Sequence, residues 1–122
     1  MTQELSRLAA RLEETRSAIA GLARSRERVQ AQMTALEQQE AKLGRQAAVA
    51  RQFGREDLAR LARARQQEAQ RQRAELAVQL GQLLAEEAQL TSAAQRLQAR
   101  KTQIYWSAPQ DDGDPFGTSG RL

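Results

Sequence analysis

The chain's 122 residues leave room for one domain, and they include neither His nor Cys. The usual general base and the commonest metal ligand are therefore missing, as are disulfides, thiolate zinc sites and thiol nucleophiles. Nineteen Lys and Arg against 15 Asp and Glu leave a formal charge of +4, and Ala, Gln, Arg, Glu and Leu dominate, the usage of long helices.

From Leu5 an unbroken ladder of three- and four-residue steps begins: Leu5, Leu8, Leu12, Thr15, Ile19, Leu22, Arg26, Val29, Met33, Leu36, Glu40, Leu43, Ala47 and Ala50. Eleven of these fourteen positions are apolar. A stripe repeating every 3.5 residues is buried only against another helix. It predicts a first arm over about 3–52, free of Pro, with Gly21 and Gly44 as its internal glycines. Next comes Gln52-Phe53-Gly54-Arg55-Glu56-Asp57-Leu58. Gly54 suits the left-handed residue that ends a helix, and Glu56-Asp57 suit the first turn of another. The spacing thus predicts a turn over about 53–55 and a second arm over about 56–105. Pro109 and the run Asp111-Asp112-Gly113-Asp114-Pro115 end regular structure, so the helical domain is 1–106 and 107–122 reads as a disordered tail.

The second arm carries its own stripe: Leu76, Leu83, Leu90, Leu97 and Ile104, with Leu80, Glu87, Ala94 and Lys101 between. Folded back about Gly54, Leu5 meets Ile104, Leu12 meets Leu97, Ile19 meets Leu90 and Met33 meets Leu76, each pair of numbers adding to 109. The expected architecture is all-α: a long antiparallel two-helix coiled-coil hairpin with a disordered C-terminal tail. A single uninterrupted helix dimerising in parallel would bury the first stripe too, but it leaves the Gly54 break and the constant sum unexplained. Nearer the turn, Arg65, Ala69 and Gln72 stand where leucines would. There the pattern drifts toward an eleven-residue repeat through Leu58, Ala69 and Leu80, and through Leu61, Gln72 and Leu83. Arg26 with Glu87, and Glu40 with Arg65 or Arg73, are expected to pair across the seam and set its register.

Residues 45–73 hold eight Arg against Glu56, Asp57 and Glu68, a net +5 that leaves the rest of the chain at about −1. The turn end is therefore a positive head. Arg45, Arg51, Arg63 and Arg65 are candidate contacts for an anionic surface, and Gly54, Arg55, Glu56, Asp57, Leu58, Ala59 and Arg60 are candidate tip contacts for a protein partner. The plain alternative is a solvated arginine-rich face. Nucleic acid is disfavoured, because Phe53 is the one aromatic near the patch and no recognition motif occurs. Ile104-Tyr105-Trp106 suits an interfacial anchor by residue type, or else a helix end packed over Leu5. No Gly-rich phosphate loop is found, and Glu13-Glu14, Glu86-Glu87 and Asp111-Asp112 lack cation-ligand spacing. No catalytic residue, cofactor, metal or small-molecule substrate is assigned, and a two-helix seam offers no sizeable pocket for one. With neither a signal peptide nor a long apolar run, the chain is expected to stay in the cytoplasm.

The string Ala47-x-x-Ala50-x-x-x-Gly54-Arg55-Glu56-Asp57-Leu58-Ala59-Arg60 resembles the hairpin-tip signature of the phage-shock protein A family. That family includes the vesicle-inducing protein of plastids and belongs with the ESCRT-III-like membrane remodellers. The likeness continues through Ala62 and Gln66-Gln67, and Arg100-Lys101-Thr102-Gln103-Ile104 looks like the close of the family's second arm. It spans about residues 25–104. The resemblance implies a non-enzymatic protein of envelope-stress response or membrane maintenance, peripheral at the inner face of the cytoplasmic membrane. It also implies oligomers with itself or with full-length relatives on anionic membranes, and an AAA+ regulator as a partner of the hairpin. Against the family pattern the chain looks like a short form, without the N-terminal amphipathic helix and the C-terminal helices. The alternative is a soluble coiled-coil adaptor that meets a transcription regulator and no lipid.

Overall fold

The computed structural model describes residues 2–107. Helices α1 (Thr2–Gln52) and α2 (Glu56–Ser107) pack antiparallel, and no strand occurs among the described residues. Both arms and the turn thus lie where the spacing put them, to within the one or two residues by which helix ends ordinarily differ. The tail expected to be disordered lies, past Ser107, outside the described residues. Charge helps at the ends: Glu4 is in the first turn of α1 and Arg51 in its last, and Glu56 and Asp57 open α2. Each sign opposes the partial charge of its helix terminus. No described helix is long and apolar enough to cross a membrane.

The described residues group into two compact units, Ile19–Gln89 and residues 2–18 with 90–107. In the unit that holds the turn, every position of the first ladder is buried or half-buried, with Val29, Leu43 and Ala47 deepest. Its partner stripe on α2 corrects the eleven-residue reading. Arg65 and Gln72 are exposed, and Leu58 and Leu61 are nearly half exposed. The covered stripe is instead Ala59, Ala62, Gln66, Ala69, Arg73, Leu76, Leu80, Leu83 and Glu87, an unbroken three-four alternation, with Arg63 half-buried beside it. The heptad never lapses. Near the turn it is filled by alanine and by polar residues, which do not stand out as apolar spacing.

Two charge pairs close this seam. Arg26 grips Glu87 with both Nε and Nη2, at 2.7 and 3.3 Å, as the spacing predicted. Glu40 accepts two bonds from Arg73, at 2.5 and 3.1 Å, while Arg65 takes no part. The Gln66 amide donates 3.1 Å to the Glu40 carbonyl and passes over Gly44, where a Cβ would stand 3.0 Å from its nitrogen. Gly44 thus makes room for a polar side chain inside the seam. The Arg73 bonds hold the Glu40 carboxyl below its ordinary range, against an opposing push from burial.

In the other unit Leu12 is the most deeply buried large side chain, 2% exposed, and Ile104 is buried with it. Leu5, Leu8, Ala94 and Leu97 are half-buried. Arg16 donates to Gln98 at 3.3 Å and Arg100 to Glu4 at 3.3 Å, both on the exposed flank, where such contacts add little. Ile104 takes the seam position. Tyr105 and Trp106 touch edge to face with centroids 5.3 Å apart and stay largely exposed, while both line a shallow groove that Leu5 shares.

Because the native chain has no Cys, the Arg16→Cys/Gln98→Cys double variant is expected to crosslink within one molecule under a short bismaleimide. Gel migration at monomer mass checks this, and dimer bands alone would contradict the fold. A carboxyl held low in the folded state stabilises above its unfolded pKa, and that gain is lost as pH falls through the folded value. The native melting temperature is therefore expected to drop more steeply below about pH 4.3 than that of Glu40→Gln, read by circular dichroism.

Candidate functional site

The turn is built by backbone geometry around one residue. Gly54 has φ of +74°, the left-handed region that side-chain-bearing residues avoid. The Arg55 N–H reaches back to the Ala50 carbonyl at 2.8 Å and the Gly54 N–H to that of Arg51 at 3.0 Å. This is the paired hydrogen-bond closure of a Schellman cap. Arg55 then accepts the first bond of α2, from the Ala59 N–H at 3.0 Å. Its guanidinium turns onto Asp57, at 3.3 and 3.2 Å, and holds that carboxyl below its usual range, helped by the backbone N–H of Leu58.

Pairing decides how much of the positive head is left over. Among the eight arginines of 45–73, Arg51 meets Glu56 at 3.8 Å, Arg55 meets Asp57 at 3.2 Å and Arg71 meets Glu68 at 2.9 Å. Arg73 is taken by Glu40. Arg45, Arg60, Arg63 and Arg65 have no carboxylate partner among the described residues. Three of the four residues expected to meet an anionic surface are thus uncommitted, and Arg51 is loosely engaged.

The expected tip residues separate into roles. Gly54 makes the bend, Arg55 and Asp57 brace it, Glu56 answers Arg51, and Arg60 faces solvent. Ala59 is 0% exposed and belongs to the seam, so it is closed to a partner. Leu58 is 43% exposed and outside the seam.

Spacing alone missed the apolar company of this surface. Phe53 is 75% exposed, Val49 52% and Leu61 47%. With Leu58 they edge an open furrow of about 580 Å³ floored by Leu43, Ala50 and Ala62. Lys42, Arg45, Arg55 and Arg65 rim it, and no carboxylate lines it. Running the heptad back from Leu76 through Arg73, Ala69 and Gln66 would have placed Leu58 and Leu61 on this flank. Arg60 and Arg63 lie off the furrow.

No group of three or more Asp and Glu among the described residues is arranged to hold a metal ion. No protein-family model matches the chain, and neither a curated protein nor a solved structure does.

Gly54→Ala forces a side chain into the left-handed region and is expected to lower unfolding free energy by about 1–2 kcal/mol. Gly54→Asn is expected to lose less. Urea denaturation followed at the helical band checks both.

Proposed function

We propose that this chain is a non-enzymatic coiled-coil hairpin of the phage-shock protein A type, working in the cytoplasm on membrane maintenance or envelope stress. Its turn end contacts the anionic inner face of the cytoplasmic membrane, and it assembles with copies of itself or with longer relatives. The Gly54-to-Arg60 string and the antiparallel arms support the family reading. The observation that carries the surface contact is the surplus of Arg45, Arg60, Arg63 and Arg65 beside a turn whose carboxylates are already engaged. A basic residue near an anionic leaflet contributes about 1 kcal/mol, so several together are enough for reversible adsorption.

Co-sedimentation with phosphatidylglycerol-containing vesicles is expected to recover the chain, with pure phosphatidylcholine leaving it in solution. Added salt is expected to weaken the binding as screening grows. Charge reversal at Arg45, Arg60, Arg63 and Arg65 together is expected to abolish it with helicity unchanged. Equal supernatant recovery from neutral and anionic vesicles would defeat the proposal. The cation-rimmed furrow supports a second reading, a soluble adaptor that takes an acidic amphipathic segment of a protein partner such as an AAA+ regulator. Partner capture without lipid that is lost in the charge-reversed variant would favour it.

A further inference from the structure

We infer that one flank of the turn end is a membrane wedge: Val49, Phe53, Leu58 and Leu61 enter the boundary between headgroups and acyl chains of an anionic bilayer, with Lys42, Arg45 and Arg65 at the phosphates. This rests on the surface reading above and names how the contact is made. The first support is an inverted distribution of side chains. Between Leu43 and Leu76 the large apolar residues are Val49, Phe53, Leu58 and Leu61, and all four are exposed. The seam between the same limits is closed by Ala47, Ala59, Ala62 and Ala69. Small residues face the partner helix and large ones face out, the reverse of what stabilising an isolated hairpin calls for. A contiguous apolar surface rimmed by charge marks an interaction site.

The order of residues away from the bend selects the occupant. On α1, Phe53 and Val49 come first, then Arg45 and Lys42; on α2, beyond Arg55, whose charge is taken up by Asp57, Leu58 and Leu61 precede Arg65. Past the paired charges of the bend, both arms pass from apolar residues to the first unpaired cation over about seven or eight residues, roughly 10–12 Å of helix rise. That matches the depth of ~5–10 Å to which interfacial helices bury their apolar faces. Long basic side chains above such a depth reach headgroup phosphates while their stems cover hydrocarbon. Arg55, Glu56 and Asp57 at the bend are exposed, but Arg55 pairs with Asp57 and Glu56 with Arg51, so no lone carboxylate there repels the leaflet. A peptide lying in the furrow would have no need of this axial order.

The test places a tryptophan at the wedge, Phe53→Trp in a Trp106→Phe background, and adds phosphatidylglycerol vesicles brominated at shallow or deep acyl positions. The expected result is a blue shift with stronger quenching by the shallow bromines. Leu58→Ser/Leu61→Ser, both positions off the seam, is expected to keep its helicity. At ~1 M salt, where screening leaves little charge attraction, it is expected to bind these vesicles about tenfold less than the native chain. Vesicle binding with an unshifted tryptophan overturns the wedge and leaves the surface reading standing; no binding at all removes both. A blue shift that grows with protein concentration in the absence of vesicles assigns the flank to a second copy and overturns the wedge.

Discussion

Close approach of the two helices at an alanine seam is the constraint on which the turn end depends. Helix axes pack roughly 8–10 Å apart according to the side chains between them, and a stripe of alanine is filled only at the near end of that range. Ala47, Ala59, Ala62 and Ala69 are all buried, so the requirement is met. With that space closed, a leucine or phenylalanine next to the stripe cannot turn inward. Val49, Leu58 and Leu61 are outside because their heptad positions lie off the seam, and Phe53 because it stands in the turn after α1.

The polar members of the seam contribute specificity more than stability. Removing two charges from water costs free energy that their attraction only partly offsets, so a pair such as Glu40 and Arg73 is weak evidence of added stability. Its effect is on alternatives. Slipping the helices by one heptad would put Gln66 or Leu80 in the place of Arg73 and leave Glu40 without the guanidinium that now takes both its oxygens. The Gln66 amide on the Glu40 carbonyl, crossing Gly44, adds a contact that tolerates no sliding. Arg26 and Glu87 apply the same restriction further from the turn within that unit.

Much of this was legible in the sequence, for reasons that also explain the misses. Every one of the fourteen ladder positions of α1 proved covered, because leucine and isoleucine at heptad spacing are hard to satisfy any other way. Gly54 was legible because few other residues accept its backbone angle. The start of α2 was misread for the opposite reason. Its covered positions hold alanine, glutamine and arginine, and the eye follows Leu58 and Leu61, which point away. At the candidate site the arginine excess could be counted, whereas which arginines stay uncommitted could not. That depends on side-chain reach: Arg73 crosses to Glu40 while Arg65, about two turns nearer the bend, lies on the furrow rim.

The bend is also where such an arrangement is least costly. Elsewhere along a two-helix seam, register rests on side chains, and thinning them to alanine gives up burial at roughly 25 cal/mol per Å². Beside Gly54 the chain itself joins the arms, and the paired cap bonds to Ala50 and Arg51 fix how α2 departs from α1. Short closure carries little additional entropy loss. The covalent turn therefore does there what apolar layers do farther up, and the large side chains are released for an outer surface. A positive, apolar-edged head at the one place where the helices are tied together follows from that division of labour.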